Sequence, residues 1–529
     1  MLTESIKTIS RAIFTILVVL SLTGCFLDGG GGDSDSFGTA PTLVSFDFFP
    51  TEAAAGVQLS ISGNFSFEDP DGDLGGGFLK YEYEGDTFGF PLDESLDGHT
   101  NADVLFSATV NISQDAGDKE LSFWLVDNSG NLSNIIKKPF KVLWSKLIGS
   151  VEDDDGESII ADTNNNVIAA GSVLGDMNGH VNAGYHDVFI TKYSPSGILE
   201  WDALIGTNAQ DYGKNLVADS DGNIYVVGYT EGYLDLKVNQ GLFDAFLIKY
   251  SPLGLKIWTQ LIGTINNDYG IAVAVDNQNY IYLVGNTEGN LDSQTNNGAT
   301  DVFLSKFSSS GAKLWTRLFG TTSNDYVDSI ATDRNGNIFI TGQTGGTFNA
   351  NFAGSAVFIT KFDQSGNVLW IEELESFYML STLDLGKGDI SIDINDDIVV
   401  TGRAWGAAAD NNGRGDLFIT KYDQDGSNLW FTQVGETTDD EGRGIVIDSQ
   451  NNIYVVGDVG PFHMLMKYDS AGNQIWSMGG TFQTRNDIAI DSSDNLFVIG
   501  DAIIPVDFNP IIGGEDIFIE KYDVNGVNH

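Results

Sequence analysis

Apolar and polar positions follow a long repeating pattern over most of this chain. In the repeat at 213–263, an apolar stretch leads to Asp219, and short runs rich in β-branched and aromatic residues follow at 224–228, 244–250 and 255–258. Segments rich in Gly, Asn, Asp and Ser separate the runs. Short runs bounded by such turn residues predict antiparallel strands. The pattern therefore predicts a unit of four strands, which we name a, b, c and d.

A tryptophan near the start of strand d marks each repeat, and an aspartate ends each strand a. The tryptophans are Trp144, Trp201, Trp258, Trp315, Trp370, Trp430 and Trp476. The a-strand aspartates are Asp162, Asp219, Asp276, Asp333, Asp393, Asp448 and Asp491. The first four tryptophans are 57 residues apart, and the later steps are 55, 60 and 46. A long internal period indicates a repeat fold, and four-stranded units of this kind predict the blades of a β-propeller.

The last repeat lacks its own strand d. Seven sets of strands a, b and c are present, and only a turn at Gly526 follows the last c-strand, 516–522. We expect residues 140–144, which hold the first tryptophan, to supply the missing strand, because closing the ring removes an exposed sheet edge. The prediction is an all-β protein with a seven-bladed propeller at 139–529. An open solenoid is the alternative, and it leaves unpaired edges at both ends.

Residues 41–138 lie outside the repeat and contain short alternating stretches, such as 58–62, 104–110 and 121–126. About 100 residues of short strands predict a β-sandwich. The run 126–133, Val-Asp-Asn-Ser-Gly-Asn-Leu-Ser, resembles the last hairpin of bacterial immunoglobulin-like domains. We therefore expect an immunoglobulin-like domain here.

The N-terminal segment has the features of an export signal. Lys7 and Arg11 precede an apolar run at 12–20, and Leu-Thr-Gly-Cys ends at Cys25. A basic start, a short apolar core and small residues before a cut are typical of a signal peptide. The ending resembles the lipobox of bacterial lipoproteins, which implies cleavage of 1–24 and acylation of Cys25. An ordinary signal peptide with a buried thiol is the alternative.

The residues after Cys25 predict a tether and a location. The segment 25–40 is rich in Gly, Ser and Asp, which cannot bury apolar area, and it is expected to be flexible. Phe26 stands where retained inner-membrane lipoproteins usually have aspartate, which favours the outer membrane or cell surface. Because Cys25 is the only cysteine, no intramolecular disulfide can form.

The charge balance excludes some partners. The chain has 74 acidic and 26 basic residues and a formal net charge of −48. Nucleic-acid binding depends on basic contacts to phosphate, and anionic lipid attracts basic segments, so neither partner is expected. The acidity serves either solubility or a surface for cations and basic partners.

The repeat units also resemble a known family. The order Asp-x-x-Gly-Asn-Ile-Tyr-Val-x-Gly, Asp-Ala-Phe-Leu-x-Lys-Tyr and Gly-x-x-x-Trp resembles the SBBP β-propeller repeats of bacterial exported proteins, over 139–529. Ala356, where other repeats have Asp, and residues 462–464 depart from the pattern. The resemblance implies a seven-bladed propeller and no defined activity.

Two groups of aspartates are candidate sites. Five repeats place an aspartate eight positions before the a-strand aspartate, where the innermost strands are expected to bring them to one mouth of the channel. These five are Asp154, Asp211, Asp268, Asp325 and Asp440. They either hydrogen-bond their own turns or bind a cation or basic partner. In the sandwich domain, Asp69, Asp71 and Asp73 form either an acidic turn or a calcium site, since Ca²⁺ prefers oxygen ligands.

No catalytic motif accompanies these features. The sequence contains neither Gly-x-Ser-x-Gly nor His-Glu-x-x-His. We therefore expect a lipid-anchored envelope module that binds a protein or glycan without catalysis, with a monomeric propeller and no required cofactor apart from Ca²⁺ at the acidic loop, if that loop binds it. The alternative is a carboxylate-dependent hydrolase or lyase acting on polysaccharide at the channel mouth.

Overall fold

The computed structural model describes residues 39–112, 116–348, 356–375, 388–404, 415–480, 483–507 and 510–528. The chain divides into two compact units between Trp144 and Ser145. The predicted signal peptide, Cys25 and most of the tether lie outside the described residues. Within the described ranges, no helix combines the length and apolarity needed to cross a membrane.

The first unit consists of two sheets that share one core. Their strand orders are β1-β3-β6 and β2-β8-β7-β4-β5. Phe46 of one sheet stacks on Phe123 of the other with ring centroids 3.8 Å apart, so alternate residues of each strand face a common interior. The strands are β1 Thr42–Phe49, β2 Glu52–Ala54, β3 Gln58–Glu68, β4 Phe78–Tyr83, β5 Asp86–Pro91, β6 Asn101–Asn111, β7 Gly117–Val126 and β8 Ile136–Leu143, with a short 3-10 helix at Glu94–Leu96.

The second unit consists of seven four-stranded antiparallel sheets, as the repeat predicts. The first strand of this unit, β9, spans Ser145–Ile148 and belongs to sheet 7. Sheet 1 comprises β10 Asp154–Ala161, β11 Val167–Val173, β12 Asp187–Tyr193 and β13 Leu199–Ile205. Sheet 2 comprises β14 Asp211–Ala218, β15 Ile224–Thr230, β16 Asp244–Tyr250 and β17 Lys256–Ile262, with a short 3-10 helix at Leu234–Leu236. Sheet 3 comprises β18 Asp268–Val275, β19 Ile281–Thr287, β20 Asp301–Phe307 and β21 Lys313–Phe319.

The remaining sheets follow the same order. Sheet 4 comprises β22 Asp325–Thr332, β23 Ile338–Thr344, β24 Ala356–Phe362 and β25 Val368–Glu375. Sheet 5 comprises β26 Asp389–Ile392, β27 Ile398–Ala404, β28 Asp416–Tyr422 and β29 Asn428–Val434. Sheet 6 comprises β30 Glu441–Ile447, β31 Ile453–Val459, β32 Phe462–Tyr468 and β33 Gln474–Gly480. Sheet 7 comprises β34 Asp487–Ile490, β35 Leu496–Ala502, β36 Asp516–Tyr522 and β9.

The a-strand aspartates shape the turn between strands a and b. Asp219 is buried, and its Oδ1 accepts hydrogen bonds from the backbone N–H groups of Asp221 (3.0 Å) and Asn223 (2.8 Å). All seven a-strand aspartates accept the same two backbone bonds. This is the Asx turn, in which a side chain replaces a backbone acceptor. The repeated aspartate is therefore structural.

Neighbouring sheets are tied together at the turn between strands c and d. Lys192 of sheet 1 lies 3.0 Å from the Asp162 carboxylate and donates to the carbonyl of Pro252 in sheet 2. Trp201 donates to the same carbonyl at 3.1 Å. A Cβ on Gly254, which has φ +77°, would lie 2.6 Å from the Trp201 ring. The tryptophan of one sheet thus requires the glycine of the next, and the pair explains why both recur.

The structure corrects the predicted closing strand. Residues 140–143 belong to β8, where Phe140 pairs with Lys119 of β7 and packs in the core of the first unit. The strand that completes sheet 7 is β9, which pairs Ile148 with Ile517 and Ser145 with Glu520. Both segments mix apolar and polar residues and flank the same tryptophan, so the repeat pattern does not separate them. The boundary expected between 138 and 139 accordingly lies between 144 and 145.

Candidate functional site

A cavity of about 290 Å³ lies in the second unit between the first strands of the sheets. All seven sheets contribute to its wall. The lining residues are Asp155, Glu157, Lys214, Asn215, Ile271, Asp328, Ser329, Gly388, Asp389, Arg443, Asn486, Asp487 and Asp501. The site is therefore assembled from positions that are far apart in sequence.

A β-bulge in strand a directs several of these side chains inward. The pairing of strands a and b skips one residue in five sheets, between Gly213 and Asn215 in sheet 2, for example. The skipped residues are Glu157, Lys214, Ile271, Asp328 and Arg443. All five line the cavity. Bulges leave one residue outside the ladder and re-aim its side chain, which is why they are common beside functional sites.

Carboxylates dominate the cavity wall. Six acidic side chains face two basic ones, Lys214 and Arg443. Lys214 pairs with Glu157. Arg443 donates to Asn486 at 2.6 Å and to Asp458 at 2.8 Å. Both cations already have partners of this chain, so the cavity presents mainly oxygen acceptors and carboxyl groups to a ligand.

Asp389 and Asp487 join neighbouring sheets across the cavity wall. Asp389 accepts from the Ser329 hydroxyl at 2.7 Å and from the Ile445 backbone N–H at 2.9 Å. Asp487 accepts from the Ile159 backbone N–H at 3.0 Å. Burial raises the pKa of Asp389 to about 6, and burial together with the Asp389 charge raises the pKa of Asp487 to about 8. Carboxyl groups with a pKa near neutrality have the protonation state that a general acid requires.

Asp501 has a similar environment. It accepts from the Gly156 backbone N–H at 2.8 Å and from the Asn486 side-chain amide at 2.6 Å. Burial raises its pKa to about 7, and the charge of Asp155 contributes. The repeat pattern does not predict these acids, because the residues that line the cavity differ from repeat to repeat. One signal was available: the residue five positions before each a-strand aspartate lines the cavity in all seven repeats.

The five aspartates predicted at the channel mouth are placed differently. All five are buried, and they are absent from the described residues that line the cavity. Each accepts a hydrogen bond from the backbone N–H four residues earlier, as Asp211 does from Thr207 (2.6 Å) and Asp440 from Glu436 (2.7 Å). The structure therefore brings Asp154, Asp211, Asp268, Asp325 and Asp440 to the turns between strands d and a, as in the turn alternative.

A second aspartate, at the start of strand c, accompanies each of these five. The pairs are Asp154 with Asp516, Asp211 with Asp187, Asp268 with Asp244, Asp325 with Asp301, and, at the same repeat positions, Asp440 with Asp416. A Cβ on Gly320 would lie 2.5 Å from Asp301 Oδ1 and 2.9 Å from Asp325 Oδ2, so only glycine fits between them. Burial, with the charge of Asp244, raises the pKa of Asp268 to about 6.

The loops at this end of the sheets expose apolar side chains. We define the loop face as the b–c loops 174–186, 231–243 and 288–300 with the d–a turns 206–210 and 263–267. The exposed side chains are Val181, Tyr185, Tyr233, Leu236, Val238, Leu242 and Ile265. Leu236 is 95% exposed. Exposed apolar side chains that form a contiguous patch are typical of interaction surfaces.

Hydrogen bonds fix the exposed loop of sheet 2. The Asn239 side chain donates to the carbonyls of Thr230 (2.9 Å) and Leu242 (3.1 Å). Asp235 accepts from Lys256 and Thr259 of the neighbouring strand. A Cβ on Gly241 would lie 2.5–2.6 Å from backbone atoms of residues 264–266, so this loop packs on the next d–a turn. The apolar side chains are thus displayed on a fixed backbone.

In the first unit, the loop between β3 and β4 brings the three predicted calcium ligands together. Carboxylate oxygens of Asp69, Asp71 and Asp73 all lie within 4.8 Å of one another.

Comparison with known proteins confirms the predicted repeats. Residues 200–234, 257–292, 314–349 and 429–458 match the SBBP family, a beta-propeller repeat. An uncharacterized WD repeat-containing protein of Acanthamoeba polyphaga mimivirus is 25% identical over 422 residues, 60% of this chain and 30% of that protein. Regulatory protein FlaEY of Caulobacter vibrioides is 30% identical over 170 residues, 29% of this chain and 18% of that protein. The chain thus spans less than a third of either relative.

Among solved structures, the polysaccharide lyase Uly1 superposes with a TM-score of 0.42 and 12% identity, covering 70% of this chain and 90% of that chain.

Proposed function

We propose that this protein is a lipid-anchored binding module of the cell envelope, tethered through Cys25 and without catalytic activity. In this proposal the seven sheets are the blades of one closed propeller, and the first unit is an immunoglobulin-like spacer. The hydrogen bonds from sheet 7 to sheet 1, such as Gly156 N–H to Asp501, support a closed ring. The lipobox-like segment supports export to the outer membrane or cell surface.

The exposed apolar side chains on fixed loops are the observation that carries the binding function. Tyr233, Leu236, Val238 and Leu242 project from one loop, and Ile265 projects from the turn against which that loop packs. Ordering a loop costs conformational entropy, and a loop that is already fixed does not incur that cost again on binding. The aliphatic majority of these residues favours a protein partner over a glycan, since sugars stack mainly on aromatic rings.

A carboxylate-dependent hydrolase or lyase is the second candidate. The cavity supports it, because Asp487 and Asp501 hold carboxyl groups whose pKa lies near neutrality. Two features weigh against it: the carboxylates bind backbone N–H groups of the wall, and the residues around them differ among the seven sheets.

One experiment tests anchor and partner together. The wild-type chain is expected in the membrane fraction after a high-salt wash, and Cys25→Ser in the soluble fraction. The soluble chain then serves as bait for cross-linking to intact envelopes, alongside Leu236→Asp and the control Leu253→Asp. Leu253 is 80% exposed in the c–d turn of the same sheet, outside the loop face.

Leu236→Asp is expected to cross-link at least tenfold less partner than the unsubstituted bait. The control Leu253→Asp is expected to cross-link the same amount as that bait. Equal cross-linking by both variants would exclude the loop face. If the soluble chain binds purified polysaccharide but does not cross-link to any envelope protein, the partner is a glycan. Polysaccharide turnover that Asp487→Asn abolishes would establish the enzyme instead.

A further inference from the structure

The acidic loop of the first unit places three carboxylates around a common point. Asp69, Asp71 and Asp73 lie in the turn that follows β3, where the Gly72 backbone N–H donates to the Asp69 carbonyl at 3.2 Å and brings the three side chains together. Their oxygens lie within 4.8 Å of one another. Ca²⁺ binds oxygen at about 2.3–2.6 Å, so two of its ligands stand at most about 5 Å apart. The three carboxylates therefore fit around one such ion.

One oxygen of the buried Asp69 carboxylate meets no donor among the described residues, and Asp69 and Asp71 lie close enough to share a proton. Asp69 is 0% exposed. Its Oδ2 accepts the Leu74 backbone N–H at 3.0 Å, whereas its Oδ1 is buried without a hydrogen-bond partner among the described residues. Buried polar atoms are almost always paired, and an exception points to an ion or water that completes the site. This oxygen belongs to the carboxylate that faces Asp71 and Asp73.

Asp73 repeats this arrangement. Its Oδ2 accepts from the Ser129 hydroxyl at 2.6 Å, and its Oδ1 is buried and unpaired among the described residues. Asp71 is exposed and leaves room for water on the outer side. Two anchored carboxylates and an exposed third give a mixed set of carboxylate and water oxygens, the ligands that Ca²⁺ takes in flexible sites.

The three carboxylates of the loop hold like charges close together. Like charges this close destabilise the ionised state unless a proton or a cation neutralises them.

The loop is held in place by backbone bonds that involve no carboxylate. Asp69 N–H donates to Thr100 (2.8 Å), Gly98 N–H to Gly72 (2.7 Å) and Asn128 N–H to Asp73 (3.0 Å). Gly72 has φ +71°, and a Cβ there would lie 3.2 Å from the backbone of Gly98. Segments from two other parts of the unit thus fix the loop, so a cation would meet a preformed set of ligands.

We propose that Asp69, Asp71 and Asp73 form a Ca²⁺ site, with Asp69 Oδ1 and Asp73 Oδ1 as direct ligands and Asp71 completing the protein's share of the coordination.

Calorimetric titration of the purified, chelator-stripped full chain with CaCl₂ tests the site. Asp71→Asn is the decisive variant, because its exposed side chain can change without disturbing the core. Asp86→Asn is the control, an exposed aspartate at the start of β5 in the same unit. We expect the wild type and the control to bind with a Kd of roughly 10⁻⁴–10⁻³ M, typical of extracellular modules.

Asp71→Asn is expected to weaken this binding at least tenfold, and Asp69→Asn to abolish it. Titrations that coincide for wild type and Asp71→Asn would overturn the proposal, even if calcium binds elsewhere in the chain. MgCl₂ provides the selectivity test, since Mg²⁺ requires near-octahedral geometry at shorter distances. Equally tight Mg²⁺ binding would overturn the assignment to calcium.

Discussion

Both units bury aspartates, but the two regions leave the carboxylates in different states. In the a–b turns of the second unit, Asp219 receives two backbone N–H groups and the Tyr225 hydroxyl. In the acidic loop of the first unit, Asp69 receives one backbone N–H and keeps an unpaired oxygen. Burial alone therefore does not describe the state of an aspartate. The number of donors that the surrounding residues supply differs between these two regions.

The largest expected effect concerns the independence of the two units. Removing residues 1–144 deletes the first unit and keeps β9, whereas removing 1–149 also deletes β9. Burial of one Ile or Leu contributes about 1.5–3 kcal/mol. The longer deletion removes both Leu147 and Ile148 from sheet 7, together with the hydrogen bonds of four residue pairs, so its total cost exceeds that of a single substitution. The longer deletion is expected to lower the melting temperature sharply and to cause aggregation through the open edge of β36.

Thermal melting and size exclusion of the two truncations measure this effect. The shorter deletion is expected to stay monomeric and cooperatively folded. If both behave alike, β9 is dispensable, and the second unit is held together without it.

A smaller effect separates the two kinds of aspartate directly. Asp219→Ala leaves buried donors unpaired and is expected to cost about 3–5 kcal/mol of unfolding free energy. Asp221→Ala, exposed in the same turn, is the control and is expected to change stability by less than about 0.5 kcal/mol. Urea denaturation measures both. A cost for Asp219→Ala as small as that of its control would mean that the turn does not depend on its carboxylate.

The smallest effect is the contribution of Asp69, in the first unit, to the pH dependence of stability. The folded-state pKa of Asp69 is about 7, above its value of 3.8 when unfolded. Between these values the folded chain binds more protons, so in chelator its stability falls as pH rises, by at most about 1.4 kcal/mol per pH unit. Asp69→Asn removes this slope.

Urea midpoints at pH 5 and pH 6, with and without calcium, measure the difference between wild type and Asp69→Asn. The midpoint of the wild type is expected to fall relative to the variant in chelator and to recover in calcium. Parallel curves in chelator would show that Asp69 titrates normally, and the two aspartate regions would then be alike.

Sequence pattern predicted those parts of the fold that recur in every repeat. Trp201 and Gly254 recur because the tryptophan ring occupies the space that a side chain at position 254 would need. Asp219 recurs because its turn needs a hydrogen-bond acceptor. The closing strand lies a few residues later than the repeat pattern predicts, since β8 and β9 both mix apolar and polar residues and only Trp144 separates them. Local pattern cannot tell which sheet such a strand joins.

The candidate site was predictable only in part. The alternating spacing of Asp69, Asp71 and Asp73 suggested their convergence, and the structure places them together. The repeat pattern does not predict the cavity acids Asp389 and Asp487. They lie four positions before the a-strand aspartate, where the residue type varies from repeat to repeat. Burial and hydrogen bonding of the channel-mouth aspartates depend on neighbouring sheets, which no single repeat reveals.

The pairing of β9 with β36 also has a mechanical consequence. Tension applied to the second unit from its N-terminal side reaches that unit at Ser145, the first residue of β9. Four residue pairs, from Ser145–Glu520 to Ile148–Ile517, carry that tension before any other strand. The strand that completes sheet 7 is therefore also the strand that bears such a force. Pulling from the N-terminal side would open sheet 7 before the six sheets that precede it.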